Sequence, residues 1–154
     1  IKVAKKHSED NLLDIDYRLS DINKIRKSEE KFDLVIALEL LEHVEDFKQT
    51  LKLLCECVRK NGLLIVSTIN RNLPSYVLAI LGAEYFLKII PKGTHDWNKF
   101  LKPSEIFSII NSQNFFVDKI AGMKPFPSLS GFEWIRTEKP LVNYIVAFKN
   151  NNQI

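Results

Sequence analysis

Two nearly continuous apolar runs set the strongest limit on how this chain can fold. Phe32 to Leu38 is interrupted only by Asp33, and Leu63 to Thr68 repeats the pattern. Strands of this kind need cover on both faces, the situation in a mainly parallel sheet flanked by helices. Between them, Glu45 to Lys60 carries Phe47, Leu51, Leu54 and Val58 at helical spacing. That is the apolar stripe of an amphipathic helix, and Asn61-Gly62 is expected to end it. Pro103 to Gln113 reads as a further amphipathic helix opened by Pro103 and Ser104. Phe115 to Ala121 and Leu141 to Lys149 read as strands, and the stretch between them, with Pro125, Pro127 and Gly131, as a long loop. Upstream, Ile1 to Asn11 is charged and helix-like, and Leu13 to Leu19 alternates apolar with polar residues, a strand signal. Alternating strands and helices give an α/β fold class with a mainly parallel sheet. Ligands of such sheets sit beyond the carboxyl ends of the strands, which directs attention to the residues just past Leu38 and Thr68.

The bulk properties exclude some classes of function. The 154 residues are one domain's worth, and 45% hydrophobic content supports a real core. A net charge of +3 is too small and too dispersed to argue for nucleic acid, but it would assist contact with an anionic membrane surface. Cys55 and Cys57 are too close in sequence for an ordinary disulfide or a C-x-x-C site, so both are read as reduced thiols of a cytosolic protein. The first residue is Ile1 and not methionine, which is read as a sign of a longer reading frame.

Just past the first apolar run stand Glu39, Glu42 and His43. If the stretch turns helically, all three share a face. Two carboxylates and an imidazole could hold a divalent cation with open positions. Without a metal, His43 could act directly as general base. The alternative is structural: a Glu-His pair here could cap the next helix or meet a cofactor's edge.

Three segments carry a resemblance. Phe32 to Val44, "FDLVIALELLEHV", is similar to the fourth-strand motif of class I methyltransferases, and Leu63 to Asn72, "LLIVSTINRN", to the fifth strand and its exit. Gly82 to Glu105, "GAEYFLKIIPKGTHDWNKFLKPSE", resembles the ubiquinone-biosynthesis O-methyltransferases specifically. The resemblance covers essentially the whole chain. It implies a Rossmann-like class I methyltransferase sheet, mostly parallel with an antiparallel strand near the carboxy-terminus. The cofactor it implies is S-adenosyl-L-methionine, contacted by Leu38, with Asp21 and Ile22 near the adenine. It assigns a divalent metal, magnesium in the first instance, to Glu39, Glu42 and His43.

The chain's five glycines are Gly62, Gly82, Gly93, Gly122 and Gly131, so none falls in a glycine-rich turn before Gly62. Such a turn lets backbone approach the cofactor. By the resemblance, that turn, the ribose acid and the first two strands would lie upstream of Ile1, and this chain by itself would hold the cofactor weakly. The family's sheet order is third, second, first, fourth, fifth, seventh, sixth. Leu13 to Leu19, as third strand, would then stand roughly 14 Å from Phe32 to Leu38, with no ladder partner, or collapse onto it.

The chain divides into residues 1–31 on the cofactor side, 32–73 with the two apolar strands and their helix, 74–102 as an apolar insert and lid, and 103–154 with the last helix and strand pair. Pro74 to Pro91 is apolar apart from Ser75, Gly82, Glu84 and Lys88. It is either a helix buried in the protein or one lying in a membrane interface, with Tyr76, Val77, Ile80, Leu81 and Phe86 dipping in and Lys88 and Lys92 on headgroups. Lys92 to Trp97 suggests a lid, with His95 a second base candidate or a partner of Asp96 or a backbone group. The resemblance implies a polyprenylated catechol or quinol substrate, an anionic membrane surface met by residues 74–92, contact with other ubiquinone-biosynthesis enzymes, and a cytoplasmic location peripheral to the inner membrane. Its rivals are a methyltransferase for another small phenol or lipid, and a non-catalytic remnant that associates with membrane or pathway partners.

Overall fold

The computed structural model describes residues 1–78, 96–128 and 131–151. Helix α1 spans Lys2–Asp10 and α2 Ile22–Lys27. Strand β1 (Phe32–Leu38) leads through a 3-10 turn, Leu41–His43, into α3 (Phe47–Glu56) and β2 (Val58–Ile69). A short helix α4 (Leu73–Ser75) comes next, then a second 3-10 turn, Trp97–Lys99, and α5 (Pro103–Asn111). The chain closes with β3 (Phe115–Ser128), β4 (Gly131–Thr137) and β5 (Asn143–Asn150).

The five strands form one sheet in the order β1-β2-β5-β3-β4. β1 and β2 are parallel, with Ile36 opposite Ile65. β5 runs antiparallel between β2 and β3, as the family's order requires. β1, β2 and β3 therefore share one direction, and β5 and β4 oppose them.

Alternation along the strands explains where the core sits. Leu64 and Val66 of β2 and Tyr144, Val146 and Phe148 of β5 point to one face and are 0–1% exposed. Leu51, Leu54 and Cys55 of α3 and Ile106 and Ile110 of α5 complete the same cluster. Phe107 meets Phe148 edge to face, 5.9 Å between centroids, a favoured aromatic geometry. The reverse face is apolar but open among the described residues: Leu34, Ile36 and Leu38 are 45%, 55% and 54% exposed.

Four expectations need correction. The first helix after β1 covers only Phe47–Glu56, opened by Asp46, whose carboxylate accepts from Gln49 N at 3.0 Å. Val58 to Lys60 belongs to β2 instead. Asn61-Gly62 does not end a helix. It forms an irregularity in β2, where the pairing jumps from Phe32–Val58 to Leu34–Leu63. Asn61 takes φ 60°, and a Cβ on Gly62 would stand 2.8 Å from the Asp33 carbonyl oxygen. Bulges recruit such residues because they tolerate left-handed backbone and close approach.

The supposed loop with Pro125, Pro127 and Gly131 is a β-hairpin. β3 runs on to Ser128 and pairs with β4, Gly122 opposite Thr137 and Phe126 opposite Glu133. An edge strand tolerates proline, which has no N–H to give the ladder. Here β4 is the edge, and the prolines lie on the part of β3 beyond its last partner in β5.

Leu13 to Leu19 forms no strand and pairs with none of the five. Leu13, Ile15 and Leu19 are 46%, 47% and 92% exposed, so the alternation is only partly covered among the described residues. This matches the expectation that the segment lacks a ladder partner.

Leu64 sits at the centre of the one-sided core. Leu64→Ala is expected to cost about 2–5 kcal/mol, the range for a buried leucine that leaves a cavity. A urea melt reads this directly. A loss below about 1 kcal/mol would mean that this face is loosely packed.

Candidate functional site

The carboxyl ends of β1 and β2 lie side by side, and the polar residues of the site leave from both. Glu39 comes directly after β1 in left-handed backbone, φ 48°. Its N–H donates to the Ser67 carbonyl at 3.0 Å, extending the ladder by one bond. The Ser67 hydroxyl donates to Glu39 Oε1 at 2.7 Å, and the Asn143 amide stands 3.4 Å from Oε2. The chain then tightens into the 3-10 turn, which buries Leu41 and Glu42 and leaves His43 exposed. The Thr68 hydroxyl donates to Glu42 Oε2 at 2.9 Å. Two successive hydroxyls at the end of β2 thus hold the two carboxylates that leave β1.

The left-handed turn at Glu39 removes the shared helical face that spacing alone suggested. Glu39 and Glu42 still approach each other closely enough to interact, but His43 does not join them. Among the described residues, no three His, Cys, Asp or Glu side chains converge as metal ligands. Glu42 and His43 instead line a cavity of about 460 Å³, together with Phe47, Arg71, Lys99 and Leu101. Glu39 does not line it, and neither does Leu38, which is exposed at the end of β1.

Burial pushes the Glu42 carboxyl up to about 7; hydrogen bonds from its own backbone and from Thr68 oppose the shift, and the Glu39 charge adds to it. Tyr144 is fully buried nearby, its hydroxyl donating to the Leu101 carbonyl at 2.9 Å. Burial, and then the charges of Glu105, Glu42 and Glu39, raise its pKa, so it stays a neutral phenol. Burial also pushes the Cys55 thiol up to about 12, which leaves it unreactive.

The segment leaving β2 is fastened at several points. Asn70 donates to the Pro140 carbonyl at 2.6 Å and Asn72 to that of Leu141 at 2.9 Å. Asn72 caps α4 by accepting from Ser75 N at 2.9 Å. Between these asparagines, Arg71 donates to Glu105 Oε1 at 2.5 Å and to the Asn98 carbonyl at 3.2 Å. Asp96 caps the second 3-10 turn through Asn98 N at 3.0 Å. Asp21 is engaged in the same way, capping α2 through Asn23 N and Lys24 N at 2.7 and 3.1 Å, with half-buried Ile22 beside it. Ile80, Leu81, Phe86, Lys88, Lys92, Gly93, Thr94 and His95 lie outside the described residues.

Sequence reasoning finds Glu42 and His43 but not Ser67, Thr68, Asn143, Arg71 or Lys99. A signal for four of them exists. Ser67-Thr68 and Arg71 cluster where an apolar run turns polar, and Lys99 sits in the polar stretch before Pro103. Asn143 carries no local mark, because its strand arrives from 104 residues away.

Comparison with known proteins bears on this geometry. The profile of the methyltransferase-domain family matches residues 3–117. The ubiquinone biosynthesis O-methyltransferase of Pelagibacter ubique is 42% identical over 98% of this chain, which covers 62% of that protein. The chain therefore spans about three fifths of the length of the curated relatives it matches. Among solved structures, the PH0226 protein of Pyrococcus horikoshii superposes with a TM-score of 0.65 at 13% identity, over 97% of this chain and 66% of that one. The magnesium protoporphyrin IX methyltransferase of Synechocystis, solved with bound SAH, gives 0.52 at 19%, over 82% and 48%. These likenesses in structure establish the fold.

Since the folded-state pKa of Glu42 lies above its ordinary 4.5, folding favours the protonated form. The stabilisation is complete below about 4.5 and is lost as the pH rises through about 7. In metal-free buffer the protein is expected to lose at most about 3 kcal/mol over that window, less what solvent screening of the carboxyl removes. Glu42→Gln, which keeps an acceptor for Thr68, should flatten this slope. Equal slopes for both proteins in urea melts across the window would refute the assignment.

Proposed function

The chain belongs to the methyltransferase-domain family, and on that premise we propose that the protein transfers a methyl group from S-adenosyl-L-methionine to a phenolic hydroxyl of a polyprenylated catechol or quinol in ubiquinone biosynthesis. The observation that carries this reading is the cavity walled by Glu42 and His43 at the carboxyl end of the parallel strand pair. Ligands of such sheets bind there. The high identity to enzymes named for this activity supports the choice of substrate class.

The chemistry divides between donor and protein. S-adenosylmethionine supplies an electrophilic methyl on a positively charged sulfur. Leu38, half exposed at the end of β1, offers it an apolar contact. The residues around the cavity receive the aromatic ring and take the hydroxyl proton. His43 is exposed and can act as general base, and the Glu42 carboxyl, poised near neutrality, can serve beside it. The base would take the hydroxyl proton and so ready the phenol oxygen for the methyl group that bound S-adenosylmethionine would supply. Holding these partners in line is the protein's main contribution.

A divalent metal fits this site in part. The carboxylates of Glu39 and Glu42 would supply two oxygen ligands, and the Glu39 charge adds to the burial that pushes Glu42 up. His43 stands apart from them. A bound metal would lower the pKa of a chelated hydroxyl. In a full-length relative carrying these residues, His43→Ala and Glu42→Ala are expected to lower catechol turnover at least tenfold while leaving donor binding within about twofold, consistent with loss of general-base catalysis. Exhaustive chelation should mimic the loss and added magnesium reverse it. Full activity after chelation would remove the metal and leave the base. Unchanged turnover in both variants would sink the reading.

The apolar insert is proposed to meet an anionic membrane surface, where a polyprenylated substrate resides. Tyr76, Val77 and Leu78, at its described start, are 38%, 46% and 43% exposed. Among the described residues, no helix is long and apolar enough to cross a membrane. Tyr76→Ser with Val77→Ser is expected to cut sedimentation with anionic vesicles severalfold, without loss of turnover on a short-tailed soluble catechol. Undiminished sedimentation would count against the insert.

A further inference from the structure

The proposed reaction turns a phenol into a phenolate before methyl transfer, and a phenolate near neutral pH needs a positive neighbour. A phenol ionises near ~10 in water. An opposite charge within ~4–6 Å lowers such a value by ~1–3 units. The charged groups that line the cavity are Glu42, His43 and Glu45 from the segment after β1, and Arg71 and Lys99 from the segments after β2. The two cations differ in how they are held. Lys99 is exposed, with no ion pair among the described residues. Arg71 is only 25% exposed and fixed from two sides, by Glu105 Oε1 at 2.5 Å and by the Asn98 carbonyl at 3.2 Å.

Glu105 is itself fixed. Its other oxygen accepts from Lys102 N at 2.8 Å, closing the first turn of α5. The carboxylate thus anchors Arg71 to a helix end and cannot follow it into the cavity. Among the described residues, Glu105 and Asn98 are the partners of the guanidinium, which leaves further N–H groups on that planar fork for a ligand. Wide delocalisation and weak hydration suit guanidinium to an oxyanion in a partly buried site.

We propose that Arg71, positioned by Glu105, binds the phenolate oxygen of the substrate, so that the charge left when the hydroxyl gives up its proton is met by the guanidinium. The step balances: the O–H bond breaks, the proton passes to the base, and the electron pair stays on the oxygen beside Arg71. The inference rests on the catechol reading and adds the residue that holds the reactive ion.

The test reads ionisation, not turnover. 4-Nitrocatechol changes colour when it ionises, so its pKa when bound to the protein is measured by spectrophotometric titration, with a chelator present to remove any metal contribution. The bound probe is expected to ionise at least one pH unit below the free probe, and Arg71→Gln to erase most of that shift. Arg71→Met, which keeps the apolar stem, repeats the test should the glutamine variant not fold. Arg71→Lys should restore part of the shift, since the charge returns without the fork. A full shift in Arg71→Gln or Arg71→Met would overturn the role of Arg71 and leave the catechol reading standing. Failure of the unaltered protein to bind the probe would overturn both.

Discussion

Everything at the site is referred to β2, which is bonded on one edge to β1 and on the other to β5. β1 pairs with it in parallel and β5 antiparallel, so a shift of β2 by one residue would break both ladders. The same shift would exchange Leu64 and Val66, which fill the core, for Leu63 and Ile65, which face the open side. The register of β2 therefore also fixes the site. Ser67 and Thr68 stand opposite the end of β1 only in this register, and there they receive Glu39 and Glu42.

A site built this way joins a rigid half to an irregular half. The hydroxyl donors belong to the strand. The carboxylates belong to a left-handed turn and a single 3-10 turn, which have few backbone bonds of their own. Their positions are set by what they bond to on β2 and by the burial of Leu41 beneath them. Burial keeps Glu42 near neutrality and the hydroxyl of Thr68 keeps it oriented. A group so placed can accept a proton without first being stripped of water, a form of preorganisation.

The parts of this architecture that are legible in the sequence are those governed by local period. β1 is legible with its bounds because its apolar run begins and ends within seven residues. The placement of Leu141 to Lys149 between β2 and β3 comes from the family resemblance, since no local pattern encodes an antiparallel insertion. The end of α3 is obscured because Val58 continues the helical stripe, yet packs as the first residue of a strand. The hairpin is hidden because proline argues against strands in general but not beside an unpaired edge. At the site, chemistry-bearing residues close together in sequence can be picked out. Their true arrangement cannot, because one left-handed residue, Glu39, turns a common face into two.

Glu105 illustrates a further property of such a fold. One of its oxygens closes the first turn of α5 and the other secures Arg71. Helix ends are where order is normally weakest, and fraying there is usually local. Here the end of α5 and one wall of the cavity share a single carboxylate, so loosening of one weakens the other. Opening of the helix would release the arginine into solvent, and whatever anion the arginine holds would in turn lend order to the helix. The boundary between scaffold and site therefore runs through one side chain, and the stability of α5 is tied by linkage to the occupancy of the pocket.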